Sequence, residues 1–229
     1  MNAIVVLNLR NYLPEAVRAS FMDACSRWEC KFVEITKPFG RMHHFWQKSL
    51  IPLSQYTKPF DRVLQLDGDM LIRSDCPNIF SLVPADNIGV VSRIQPRSGR
   101  VTADSPSTPW ERDQAVKMGL SAYTKQVHHL NCGLVLYSPP RHRALLLEWE
   151  QTGRRLNWRR YRAPEQFALS CLLQSTAAPV TWLPWQYNTT AAGRIHYAPA
   201  GVMQTFVYHF CGPKRGGLAN IVNRCQWRV

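Results

Sequence analysis

Apolar positions along the first half of the chain alternate between short unbroken runs and helix-spaced stripes. Ala3-Ile4-Val5-Val6-Leu7 is a continuous run, as expected of a strand covered on both faces. Pro14 then opens a stretch in which Val17, Phe21, Ala24, Cys25 and Trp28 recur on one helix face. Residues 32–35 read as a second strand, 43–53 as a helical stretch and 62–66 as a third strand. Further strands are expected at 88–91 and 134–137. Ser138-Pro139-Pro140 opens a helix to about residue 157, and Pro164 opens another to about residue 174. This alternation predicts an α/β fold with a mainly parallel, doubly wound, Rossmann-like sheet flanked by helices. Residues 95–109, rich in Ser, Pro, Gly and Thr, read as a long lid or binding loop. From Val180 onward Pro, Gly and aromatics predict an irregular C-terminal tail on the core. Neither an internal repeat nor a linker is visible, so residues 1–229 are expected to form a single domain.

The third strand run breaks into Asp67-Gly68-Asp69 and resumes as Met70-Leu71-Ile72. Two carboxylates inside an apolar run are costly unless something compensates them. Side chains at i and i+2 of an extended segment share a side, so Asp67 and Asp69 can face one hard cation. Gly68 between them permits close approach of backbone, ribose or phosphate. Two protein oxygens, completed by water and phosphate, suit Mg²⁺ or Mn²⁺ beside a nucleotide. An isolated pair of this kind is more often a solvated acidic turn; here the apolar flanks point to a site at a strand end, where ligands of parallel sheets bind.

Composition narrows the picture. A chain of 229 residues, 45% of them hydrophobic, can bury a sizeable core. No run approaches the ~20 apolar residues of a membrane span, and the N-terminal run is too short for a signal-peptide core. A cytoplasmic location follows as the expectation, with peripheral contact at the inner face of a membrane as an extension of it. Seven scattered cysteines read as reduced thiols rather than a disulfide framework. His128, His129 and Cys132, or Cys25 and Cys30, complete no recognised four-ligand zinc spacing. Asn188-Thr189-Thr190 matches a glycosylation acceptor that has meaning only in a secreted chain.

Lys and Arg outnumber Asp and Glu by 28 to 15, a net charge of +13, which favours polyanionic partners. The densest stretch interleaves Arg154, Arg155, Arg159, Arg160 and Arg162 with Trp158 and Tyr161. No nucleic-acid-binding signature accompanies it, so a basic rim for an acidic acceptor or a membrane surface explains it equally well.

The motifs, in their order, resemble those of the GT-A glycosyltransferases of family 8, the glycogenin and bacterial lipopolysaccharide galactosyltransferase group. The resemblance is carried by residues 56–72 around Asp67-Gly68-Asp69 and by Asn131-Cys132-Gly133-Leu134-Val135-Leu136-Tyr137. Glu165-Gln166, the stretch from Leu183-Pro184 to Asn188, and His209-Phe210-Cys211-Gly212-Pro213-Lys214-Arg215 complete it. The resemblance implies a GT-A fold and transfer of a sugar from a nucleotide diphosphate donor, a UDP-sugar, to an acceptor hydroxyl on a glycan or glycolipid. It implies Mn²⁺, with Mg²⁺ as the alternative, held by Asp67, Asp69 and His209. Asp67 would also reach the donor ribose, Tyr12 would cover the nucleobase, and Lys48, with Lys214 or Arg215, would face phosphate beside Gly212. Asn131 and Gly133 would line the sugar pocket, Gly133 by leaving room.

Gln166 occupies the position facing the anomeric carbon in retaining members, and Glu165 that of a carboxylate binding sugar hydroxyls, usually Asp. The additional methylene is enough to alter which sugar fits. Retention is the favoured stereochemistry. Inversion would need a carboxylate base, with Glu165, Asp113 and Asp104 as candidates. The rival reading is a basic nucleic-acid-binding protein or metal nuclease built on Asp67, Asp69 and His209, although nucleic acid is not the expected partner.

Overall fold

The first apolar run is buried from Ala3 to Val6, with Leu7 partly buried, and it alternates between two cores. Ala3 and Val5 face one, Ile4 and Val6 the other. The structure is a computed structural model. It describes residues 1–9, 13–92, 113, 115–117, 119–120, 130–155, 164–190 and 205–210.

Along the chain come β1 (Asn2–Leu7), α1 (Glu15–Arg27), β2 (Lys31–Ile35), α2 (His44–Leu50), β3 (Arg62–Asp67), β4 (Met70–Ile72) and α3 (Ile79–Leu82). Then follow β5 (Ile88–Ser92), β6 (Leu130–Tyr137), α4 (Arg143–Arg155), α5 (Pro164–Ser175), β7 (Val180–Leu183), β8 (Thr189–Thr190) and β9 (Val207–His209). The main sheet has the order β2-β1-β3-β6-β5-β7. β6 is antiparallel to both neighbours, while the other pairings are parallel, so five of the six strands run one way.

α1 covers one face through Val17, Phe21, Ala24 and Cys25, with Trp28 beyond its end, as its spacing predicts. α2, α4 and α5 cover the other through Trp46, Trp149 and Phe167. Side chains of α2 pack directly onto the α4 backbone at Gly153, where a Cβ would lie 2.7 Å from Ser49 Oγ and 2.8 Å from Trp46 Cε3. Gly153→Ala is therefore expected to overpack this contact and cost about 1–3 kcal/mol, read as a lower urea midpoint. An unchanged midpoint would mean that the two helices separate freely.

The run broken at Asp67-Gly68-Asp69 does not resume in the same sheet. The turn sends β4 into a second sheet of order β4-β9-β8. There β4 pairs antiparallel with β9, Met70 opposite His209, and β9 pairs parallel with β8. The C-terminal stretch thus contributes strands where its composition suggests only irregular chain. β7 joins the main sheet edge, and β8 and β9 build the second sheet. The helical stretch expected over 43–53 narrows to α2, followed by turns.

Cys25, Cys30, Cys76, Cys132 and Cys171 are free thiols. No helix among the described residues is long and apolar enough to cross a membrane. The loop expected at 95–109 lies outside the described residues.

Candidate active site

Asp67 is the last residue of β3, paired in register with Leu7 at the end of β1. The turn after it carries Asp69, whose backbone carbonyl accepts from Phe210 N at 2.8 Å, next to the β4–β9 pairing. This pairing carries His209 to the strand end. His209 Nε2 lies 3.5 Å from Asp67 Oδ2 and 3.3 Å from Asp69 Oδ1. One ligand atom from each of the three residues lies within 4.8 Å of the others, the only such group of three among the described residues. On its other side the ring meets Asn188, with Nδ1 3.0 Å from Oδ1. A carboxamide oxygen only accepts, so a proton on Nδ1 completes this contact, and Nε2 is the ring nitrogen that faces the two carboxylates. Three potential ligand atoms converging on one point suit a divalent cation.

A cation of the protein's own is already present. Lys48, on α2, places Nζ 2.6 Å from Asp67 Oδ1 and 2.8 Å from Oδ2, and 3.9 Å from Glu165 Oε1. Burial pulls its pKa down, but Asp67 and Glu165 outweigh that and raise it, so the ammonium persists. Lys48 is held in turn by the core. Its carbonyl accepts from Gln65 Nε2 at 3.3 Å, and Gln65 Oε1 accepts from Tyr137 OH at 3.0 Å.

Glu165 opens α5, anchored where its carbonyl accepts from Trp149 Nε1 at 2.9 Å. Its side chain is 2% exposed, and Oε2 has no hydrogen-bond partner among the described residues. Burial raises its pKa above the ordinary value, against the pull of Lys48. A carboxylate raised in the folded state costs stability as pH climbs past its unfolded value, and the full cost is present above the folded value. Glu165→Gln does not titrate there. It should therefore gain on the parent protein as pH rises from about 4 to about 8, by on the order of 1 kcal/mol for one orphaned buried oxygen. Paired urea melts at the two pH values check this; a difference that does not change with pH would contradict it.

Opposite these groups lies the start of β6. Its register against β5 shifts between Val90 and Val91, which pair with Val135 and Asn131. Such irregularities re-aim side chains beside sites. Here Asn131 Oδ1 turns back to accept from Gly133 N at 2.8 Å, and Gln166 Oε1 accepts from Cys132 N at 3.1 Å. Burial, reinforced by Glu165, pushes the Cys132 thiol pKa up, which keeps it neutral.

Contacts thus link Lys48, Asp67, Asp69, Asn131, Gly133, Glu165, Gln166 and His209 into one cluster. Several details differ from expectation. Lys48, expected to face phosphate, contacts the carboxylates of Asp67 and Glu165. A Cβ on Gly68 would meet nothing closer than 3.5 Å, so the protein's own packing does not demand a glycine there. The space at Gly133 is filled by the His209 ring. Asn188 is 1% exposed, which removes it as a glycosylation acceptor in the folded chain. Asp113 is exposed and pairs with Lys117. Tyr12, Asp104, His128, His129, Arg159, Arg160, Arg162, Gly212, Lys214 and Arg215 lie outside the described residues.

Gln65, Tyr137 and Asn188 also support the site, through contacts that no local motif announces. The signal for Gln65 was present, a lone amide inside Val63-Leu64-Gln65-Leu66. The signal for Asn188 was its place in the resemblance.

No family model matches the chain, and no curated protein sequence matches it. Solved structures do. A glycosyltransferase involved in glycosylation of the major capsid of PBCV-1 superposes with a TM-score of 0.62 at 14% identity, over 94% of this chain and 95% of that one. The glycosyltransferase GlyE of Streptococcus pneumoniae gives 0.55 at 13% identity, over 93% of this chain, which spans only 55% of GlyE. An active-site mutant of LgtC gives 0.51 at 14% identity, over 93% of this chain and 88% of that one. At such identities the likeness is one of fold: the chain has the GT-A fold of these glycosyltransferases.

Proposed function

We propose that residues 1–229 form one glycosyltransferase domain that moves a sugar from a nucleotide diphosphate donor, a UDP-sugar, to an acceptor hydroxyl on a glycan. The observation that carries this reading is the convergence of Asp67, Asp69 and His209 at the end of β3, in a fold shared with glycosyltransferases. These three would hold Mn²⁺. When bound, the metal supplies charge neutralisation for the diphosphate as it leaves.

The other residues act on the sugar and its phosphates. Lys48 links the metal end of the site to the sugar end, because its ammonium touches both Asp67 and Glu165. Glu165 carries a buried oxygen that accepts no bond from the described residues, and a sugar hydroxyl would satisfy it. Its length, one methylene beyond Asp, sets how deep that hydroxyl must reach and hence which sugar fits. Gln166, fixed by Cys132 N, would face the anomeric carbon, consistent with a retaining reaction. Gly212, with Lys214 or Arg215, would clamp the diphosphate, and Tyr12 would cover the base. The net charge of +13 fits an anionic acceptor or a negatively charged membrane surface that presents it.

A thermal-shift panel of nucleoside diphosphates and nucleotide sugars, with and without Mn²⁺, tests the reading. A ligand at a hundred times its dissociation constant adds about 2.7 kcal/mol of stability, so the true donor should stand out, and only with the metal. A panel in which Mn²⁺ changes no shift, while random DNA stabilises the protein, would favour the nuclease reading instead.

A further inference from the structure

We propose that Asn188 and Gly133 are positioning residues that fix the tautomer and the seat of the His209 imidazole, and so set the metal affinity of the site. The inference rests on the metal reading above. It begins with burial: His209 and Asn188 are 3% and 1% exposed, so water does not decide which ring nitrogen is protonated. Asn188 Oδ1 accepts from Nδ1 at 3.0 Å, which leaves Nε2 as the nitrogen aimed at Asp69 and Asp67. Asn188 is itself anchored, its N–H donating to Trp185 O at 3.0 Å just before β8 pairs with β9. A ligating histidine generally needs such a partner on its other nitrogen, and losing that partner typically costs about 10- to 100-fold in metal affinity.

Gly133 fixes the other coordinate, the position of the ring. A Cβ at this residue would lie 2.4 Å from His209 Cε1, 2.7 Å from Nδ1 and 2.9 Å from Asn131 Oδ1. The first two contacts are with a packed ring and the third with a side chain already bonded to Gly133 N. An alanine there must push the imidazole away from Asn188, from the carboxylates, or from both. The glycine therefore makes room for the ligand of the metal rather than for the sugar.

The test uses the whole chain, with Mn²⁺ alone as the calorimetric probe and ¹⁵N-histidine NMR of the metal-free protein at alkaline pH. Asn188→Leu should weaken Mn²⁺ binding about 10- to 100-fold and move the His209 proton from Nδ1 to Nε2. Asn188→Asp, which still accepts from Nδ1, should restore both the tautomer and the affinity. A merely structural role would predict the reverse, since a buried new charge harms packing. Gly133→Ala should also weaken Mn²⁺ binding, and its combination with Asn188→Leu should cost less than the sum, because both act on one ring. The proposal is overturned if parent His209 carries its proton on Nε2, or if folded Asn188→Leu binds Mn²⁺ as the parent does. Nδ1–H in a parent protein that binds no Mn²⁺ would sink the metal reading while supporting the hold of Asn188 on the ring.

Discussion

Asp69→Ala should abolish Mn²⁺-dependent binding of a nucleoside diphosphate and leave a cooperative melting transition in place. The variant keeps the backbone bond from Phe210 N to the residue 69 carbonyl, which closes the turn and docks β9. What it loses is one of three acceptors that converge within 4.8 Å. With two ligands left, affinity for Mn²⁺ should fall by at least about 100-fold, or ~2.7 kcal/mol. In the metal-free protein the same change relieves repulsion between two carboxylates, so the melting temperature should hold or rise. Calorimetry of UDP with Mn²⁺ reads the first effect, and a melt in chelator reads the second. An unchanged dissociation constant would remove Asp69 from the site.

Lys48→Met should produce the largest loss of stability of any single change in the site. The ammonium contacts both oxygens of Asp67 and approaches Glu165, with side chains of Lys48 and Asp67 only 16% and 21% exposed. Removing it strands two carboxylates, one of them fully enclosed, at a cost of about 3 kcal/mol. Saturating Mn²⁺ should recover part of that loss, because a second cation then faces Asp67 and binding favours the folded state. Urea midpoints with and without Mn²⁺ measure both effects. A loss below about 1 kcal/mol, the scale of a surface pair, would show that solvent already screens these charges.

The fold was legible where burial imposes periodicity. Residues 3–7 form β1 because both faces are covered, and the stripe from Val17 to Trp28 forms α1 because one face is. The acidic pair was legible because carboxylates are out of place among Arg62-Val63-Leu64-Gln65-Leu66 and Met70-Leu71-Ile72. The second sheet was not legible. β4, β8 and β9 are two or three residues long, and β4 meets β9 across more than a hundred positions, beyond the reach of any local pattern. Lys48 was legible as a candidate but not in its contacts, because a lysine on a short helix carries no mark of the buried carboxylates it will meet. Gly133 shows the same limit from another side. A glycine within a strand announces a close approach, but only the folded chain shows that the approaching group is the His209 ring.

The most direct measurement of the central claim is release of nucleoside diphosphate from a panel of nucleotide sugars, comparing the parent protein with Asp69→Asn, each with Mn²⁺ and with chelator. The account predicts release from at least one sugar nucleotide by the parent protein, dependent on Mn²⁺ and lost in Asp69→Asn, which preserves side-chain volume while removing one negative ligand. Release that persists in chelator or in Asp69→Asn, or no release from any donor by a parent protein that binds Mn²⁺, would contradict it.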